Sequence, residues 1–180
     1  GKPMLEHILT NAKKNGFFNF LISVNYLKKK IKNYFKDGDL FQSKISYIEE
    51  NKPLGTAGSL SLLKIKKKQD IIVTNCDIIS NLNYKDLLNF HQKNKSDATM
   101  AVWRFEKKNQ YGVIKAKGKK LLGIEEKPII FQNINLGIYV LKSSVFKYLK
   151  KNSKIEMTDF FLSLKKKKLK NLVFLIFENW

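Results

Sequence analysis

The chain has 180 residues, 43% of them hydrophobic, enough to bury the core of about one domain and too many for a generally disordered segment. Lys and Arg number 35 against 15 Asp and Glu, a net charge of +20, and Arg104 is the single arginine. The charge points to an anionic partner, but specific DNA readout relies on arginine for bidentate contacts, and a lysine excess beside many Asn and Ile also fits codon bias.

Pro3 at a first helical position, apolar residues at Leu5, Ile8, Leu9 and Ala12, and Gly16 past the last turn predict an amphipathic helix. A buried strand follows at 20–24, then a lysine-rich helix over 27–35 that stops at Lys36-Asp37-Gly38-Asp39. Residues 44–49 alternate polar and apolar as a strand does, 53–58 form a loop entering a helix that reaches Lys66, and 70–74 make a short apolar strand. Asn83 with Asp86 resembles a capping box for a helix over 84–94, with Leu87, Leu88 and His91 on neighbouring turns. Strands are then expected at 99–105, 112–115, 121–125 and 134–141, helical stretches at 144–150 and 156–167, and a last strand at 172–177. Alternating β and α units followed by a strand-rich part indicate one α/β domain whose mostly parallel sheet carries an antiparallel addition.

One cysteine, Cys76, cannot close an internal disulfide, and no Cys/His cluster has the spacing of a zinc site. No apolar run is long enough to span a bilayer, and the start, Gly1-Lys2-Pro3-Met4, is unlike a signal peptide. A soluble cytoplasmic protein without a membrane partner is expected, and the missing initiator Met hints at a start inside a longer chain.

In an open parallel sheet, ligands collect beyond the carboxyl ends of the strands. The residues there are Asn25, then Glu49 and Glu50, then Asn75, Cys76 and Asp77, then Glu125, Glu126 and Lys127. Asp77 is the most informative. Asn83 already fits the cap of the next helix, which leaves Asp77 free to face the crevice as a ligand or metal group, against the plainer reading of a turn residue. The loop 53–58 is small enough for its backbone N–H groups to approach a planar ligand or a phosphate, although it is no Walker A loop and also reads as a simple strand-to-helix turn. Taken alone, Glu126-Lys127-Pro128 reads as a solvated ion pair stopped by proline.

Read in order, Gly1-Lys2-Pro3-Met4, Pro53-Leu54-Gly55-Thr56-Ala57-Gly58, Asn75-Cys76-Asp77, Tyr111-Gly112-Val113-Ile114, Glu125-Glu126-Lys127-Pro128 and Asn135-Leu136-Gly137-Ile138-Tyr139 resemble the sugar-1-phosphate nucleotidyltransferase family across essentially the whole chain. The resemblance implies a Rossmann-like, glycosyltransferase A-type α/β/α sandwich with a mostly parallel mixed sheet, a single domain over 1–180. It also implies condensation of a nucleoside triphosphate with a sugar 1-phosphate to a nucleotide sugar and pyrophosphate. By the same resemblance Gly55, with Thr56 beside it, lies against the base, Asp77 holds a Mg²⁺ that bridges the phosphates, and Gly112 and Asn135 lie against the sugar. Glu126 accepts from sugar hydroxyls and Lys127 contacts the sugar phosphate. Asp77 and Lys127 are thus the expected catalytic residues, and Asn25, Glu50, Gly55, Thr56, Gly112, Glu126 and Asn135 the expected substrate-binding set.

Members resembling this chain set a side chain five residues before the loop glycine against the base edge, here Glu50. A carboxylate accepts from both N–H groups on guanine's edge, so GTP is the favoured nucleotide. The sugar is open among mannose, a heptose and an amino sugar. A sugar phosphate is largely dianionic near neutral pH and needs no general base, so positioning and charge neutralisation carry the rate. His7 and His91 are accordingly expected as packing or surface residues.

Two departures bear on activity. The family's glycine-rich signature would precede Gly1, together with a strand normally central in the sheet, and the second metal-binding Asp would follow a Trp that Trp180 resembles. A chain truncated at both ends is therefore expected to catalyse little by itself. Cys76 also stands where glycine is common. The competing readings are a non-catalytic sugar-nucleotide-binding or regulatory module of the same fold, and a basic RNA-binding protein suggested by residues 165–168. No aromatic-rich RNA motif accompanies that run, so no nucleic-acid partner is expected. The oligomeric state, monomer or homo-oligomer, is left open.

Overall fold

A computed structural model describes residues 1–65 and 68–177. Helix α1 (Met4–Lys14) starts directly after Pro3 and buries Ile8, Leu9 and Ala12 on one face. β1 (Asn19–Val24) and β2 (Lys44–Glu49) pair in parallel, with α2 (Lys28–Phe35) as the crossover between them. Leu9, Ile22, Val24, Phe35 and Ile45 form the core of this lobe. Of β1 only Ile22 and Val24 are buried, so the strand expected to be buried throughout keeps one open face.

The larger sheet comprises β3 (Asp70–Thr74), β4 (Ala98–Lys108), β7 (Ile129–Lys142) and β8 (Asn171–Ile176), in the order β3-β7-β4-β8. β7 runs against both neighbours and β8 runs with β4, so β3, β4 and β8 share one direction. Side chains alternate along β7 between two cores. Tyr139 and Leu141 join the cluster of Met157, Phe160 and Leu164 from α5 (Met157–Lys166), whereas Ile138 and Val140 join Tyr84 and Leu87 of α4 (Tyr84–Lys93) and Ala12 of α1. Helices thus cover both faces of a mixed, mostly co-directional sheet, the α/β/α arrangement expected of a Rossmann-like fold.

The parallel strands are nevertheless not one continuous sheet. Among the described residues β1 and β2 pair only with each other, β5 (Val113–Lys117) and β6 (Lys120–Glu125) form a separate hairpin, and both β1 and β3 keep an unpaired edge. The helix expected from the 53–58 loop is a single turn, α3 (Gly55–Gly58), continued by a 3₁₀ turn over Ser59–Leu62, after which Leu63 is extended; Lys66, its expected end, lies outside the described residues. The helical stretch expected at 144–150 is likewise a 3₁₀ turn over Ser143–Tyr148. β4 and β7 run on well past their expected ends, as a two-stranded arm pairing Arg104 with Asn133 through to Lys108 with Ile129.

Asn83 caps α4 as expected, its Oδ1 accepting from the N–H groups of Lys85 at 2.9 Å and Asp86 at 3.3 Å. His91 of α4 is 0% exposed, with Nδ1 2.8 Å from Thr99 Oγ1 and Nε2 3.6 Å from Asp70 Oδ1, beyond hydrogen-bond reach. Burial lowers its pKa from 6.5, against an opposing pull from the Asp70 carboxylate. The folded imidazole therefore refuses a proton that the unfolded chain accepts, and stability is expected to fall as pH drops below 6.5 toward the lowered folded value. Urea midpoints between about pH 7.5 and about pH 5.5 test this, because His91→Gln should flatten the dependence. Equal slopes in the two proteins would dismiss His91 as its source.

Candidate active site

β2 ends at Glu49, and the next residue turns its carboxylate back over the strand ends. Glu50 Oε1 accepts from Ser23 Oγ at 2.5 Å, and Oε2 accepts from the Leu54 N–H at 2.9 Å. Asn25, just past β1, donates Nδ2 to the Glu50 carbonyl oxygen at 2.8 Å. The two predicted residues therefore form one unit that closes the loop 50–54. An ionised carboxylate has about four lone-pair sites, so Glu50 retains acceptor capacity for a further N–H on each oxygen.

Loop 54–58 lies against the segment 153–157. Ile155 N–H donates to the Leu54 carbonyl at 2.9 Å, and the Ile155 carbonyl accepts from Ala57 N–H at 3.0 Å and Gly58 N–H at 3.2 Å. Glu156 Oε2 accepts from the Thr56 N–H at 3.1 Å and from Thr56 Oγ1 at 2.9 Å, while Thr56 Oγ1 accepts from the Met157 N–H at 2.7 Å. Hydrogen bonds from the Thr56 backbone and then its hydroxyl hold the Glu156 carboxyl below the ordinary 4.5. The glycines of this loop permit the approach: a Cβ on Gly55 would lie 2.7 Å from the Ile155 carbonyl oxygen, and one on Gly58 2.5 Å from that of Ser153. Gly55 also has a φ of +74°.

Asp77 sits on the turn beyond β3, at the strand's carboxyl end, where β7 bulges. Met100 pairs with Tyr139 and Val102 with Asn135, so Leu136, Gly137 and Ile138 stand opposite Ala101 alone. The bulge is held from both sides. Asn135 Oδ1 accepts from the Gly137 N–H at 2.9 Å, its Nδ2 donates to Tyr139 Oη at 2.8 Å, and Asn75 N–H donates to the Gly137 carbonyl at 2.9 Å. The bulge thus ties Asn135 to the Asn75-Cys76-Asp77 turn. The Asp77 carboxylate itself is exposed and has no hydrogen-bond or ion-pair partner among the described residues.

Gly112 and Glu126 face each other at the base of the β5–β6 hairpin, where a Cβ on Gly112 would lie 2.8 Å from Glu126 Oε2. Lys127 follows with a φ of 46° and forms no ion pair among the described residues. From Lys127 to Asn135 the chain runs along the arm, ~26 Å at the usual strand rise. The structure therefore gathers the predicted residues into three groups: Asn25 and Glu50 with the Gly55-Thr56 loop, Asp77 with Asn135, and Gly112 with Glu126 and Lys127. No hydrogen bond or ion pair joins the third group to the others among the described residues. Trp180, expected beside a second metal-binding Asp, lies outside the described residues.

Two contributors were not foreseen. Ser23 was passed over as an ordinary strand residue, and Glu156 was placed inside the last helix when it is the residue that precedes it. An acid directly before a helical run was the available sign for Glu156. No group of three or more His, Cys, Asp or Glu side chains suited to a metal occurs among the described residues. No helix among them is long and apolar enough to cross a membrane.

Comparison with known proteins shows the family and the fold. The chain is 34% identical over 152 residues to a mannose-1-phosphate guanyltransferase of Yarrowia lipolytica, covering 80% of this chain and 42% of that one. It is 31% identical over 153 residues to mannose-1-phosphate guanylyltransferase 1 of Arabidopsis thaliana, with the same coverage of 80% and 42%. The chain thus spans less than half the length of these curated relatives. In three dimensions it resembles HddC from Yersinia pseudotuberculosis complexed with GMP-PN, with a TM-score of 0.70 and 22% identity over 98% of this chain and 77% of that one. The family described as nucleotidyl transferase matches residues 1–180. Matched by that family over residues 1–180, the chain belongs to the sugar-1-phosphate nucleotidyltransferase family.

Proposed function

We propose that the protein transfers a guanylyl group from GTP to a sugar 1-phosphate, with mannose 1-phosphate the first sugar to test. A phosphate oxygen of the sugar 1-phosphate attacks the α-phosphorus of GTP, and the bond to the β-phosphate bridging oxygen breaks, releasing pyrophosphate. The observation that carries this reading is the Asp77 carboxylate at the end of β3, exposed and without a partner among the described residues, on the turn tied through Asn75 and the β7 bulge to Asn135. The guanylyltransferase relatives support GTP and mannose 1-phosphate, and the net charge of +20 suits two polyanionic substrates.

An exposed carboxylate without a protein partner fits Mg²⁺, which is commonly bound through one or two carboxylates and substrate phosphates. Asp77 would hold the ion, whose chemistry is to neutralise phosphate charge. The remaining work falls to the chain's own groups. The loop carrying Gly55 and Thr56 presents backbone to the base, and Glu50 offers its free lone pairs to guanine's N–H groups. Asn135 and Gly112 border the sugar, Glu126 accepts from its hydroxyls, and Lys127 brings a positive charge to its phosphate. The single cysteine suits a reducing, cytoplasmic setting.

The test is pyrophosphate release with Mg²⁺ by the full-length protein that contains these residues, across the nucleoside triphosphates and a panel of sugar 1-phosphates. Release that requires GTP with one sugar 1-phosphate is expected. Release with UTP or dTTP in preference to GTP would overturn the base assignment. Nucleotide binding without release under every pairing would replace the enzyme by a binding module of the same fold.

A further inference from the structure

We propose that Glu156 is the positioning residue of the nucleotide loop: from the start of α5 it locks Thr56, and with it the Gly55 backbone, into the conformation that receives the base. The inference rests on the nucleotidyltransferase reading of that loop. Six hydrogen bonds join 54–58 to 155–157, and they divide into two kinds. Three are backbone bonds of Ile155 with Leu54, Ala57 and Gly58, which dock the loop as a whole. The other three converge on Thr56 and are supplied by the Glu156 carboxylate and the Met157 N–H.

Their order is directional. The Met157 N–H donates to Thr56 Oγ1, whose own proton points to Glu156 Oε2, and that oxygen also receives the Thr56 N–H. A carboxylate accepting from both the hydroxyl and the N–H of one residue fixes the side-chain rotamer and the peptide orientation together. Hydrogen bonds to a charged acceptor are the stronger class. The peptide so fixed is the one between Gly55 and Thr56, where the left-handed φ of Gly55 turns the loop. Glu156 Oε1 would lie 2.8 Å from a Cβ on Gly55, so the carboxylate lies directly against that turn. The close fit leaves no room for a side chain at 55 while the clamp is shut. Loop shape at the base is therefore set from a helix 100 residues away in sequence.

The decisive experiment compares GTP binding, measured by calorimetry with Mg²⁺ and no sugar phosphate, and steady-state kinetics in wild type, Glu156→Ala, Glu156→Gln, Thr56→Val and Thr56→Ser. Glu156→Ala and Thr56→Val should each weaken GTP by about tenfold or more, in affinity and in KM. In Glu156→Ala the KM for the sugar 1-phosphate and kcat should each move by less than about threefold. Thr56→Ser, which keeps the hydroxyl, should weaken GTP less than Thr56→Val does, and Glu156→Gln, which keeps one acceptor oxygen, should fall between wild type and Glu156→Ala. A Glu156→Ala protein that loses thermal stability yet keeps GTP affinity would overturn the inference, as would equal rises in both KM values. Should Glu156→Ala fail to fold, the Thr56 pair decides it by the same criteria. Absence of GTP binding in the wild type would overturn the underlying nucleotide reading, a result distinct from wild-type binding that the variants leave unchanged.

Discussion

In the full-length protein that contains these residues, Asp77→Asn is expected to reduce Mg²⁺-dependent pyrophosphate release on the order of 10³-fold or more, with the folded state intact. Asparagine preserves size and one acceptor oxygen but removes the charge. Since the carboxylate is exposed and has no partner among the described residues, no hydrogen bond or ion pair of the fold is lost with it. A change at such a surface position is worth within about 0.5 kcal/mol, so the melting temperature should move by no more than about 2 °C. The combination is diagnostic: lost turnover with unchanged melting means that Asp77 acts on something outside the chain. If turnover survives Asp77→Asn, the metal assignment is wrong. A large fall in melting temperature would instead show a structural partner for this side chain.

A large stability effect is expected from Gly55→Ala. An alanine there must adopt a φ of +74° and also place its Cβ 2.7 Å from the Ile155 carbonyl oxygen. The left-handed backbone costs roughly 1–2 kcal/mol and the overlap with a main-chain atom a further ~1–3 kcal/mol, since neither strand of the clamp can yield without breaking its hydrogen bonds. Together these lower the melting temperature by about 5–15 °C in a chain of this size. Gly16→Ala is the matched control, because Gly16 has a φ of +87° with nothing within 4 Å of its Cβ position. It should show the backbone cost alone, so equal losses at the two positions, measured by thermal melts under the same conditions, would refute the close packing of loop 54–58 on 153–157.

Local elements were readable where the chain carries a local signal. β2 at Lys44–Glu49 follows from strict alternation, β3 at Asp70–Thr74 from an apolar run, and the start of α4 from Asn83, whose side chain caps the first turn. Lengths failed where tertiary pairing overrides pattern. Ile129, Ile130 and Phe131 show no alternation after Pro128, yet they are strand because β4 supplies a partner. The stretch after Gly55 has helical composition, yet its α-helix lasts one turn and continues as a 3₁₀ turn, docked by the Ala57 and Gly58 N–H groups on the Ile155 carbonyl. The same limit applies to the site. Asp77, Glu126 and Lys127 could be named from motifs, but the Gly137 bulge and the Thr56–Glu156 contact bring together distant segments and leave no local trace.

The division of the strands into two sheets has a consequence for how the chain is made. Every residue of the β1–β2 lobe core lies before residue 50, so that lobe can pair before the larger sheet has emerged. The larger sheet is non-local, with Ala98 waiting for Asn171 and Asp70 for Lys142. Loop 54–58, although encoded between the two, cannot take its final shape until Met157 has emerged to meet Thr56. Loop 54–58 is thus synthesised well before the segment that sets it. A nascent chain that ends before Met157 carries this loop without the contacts that hold it.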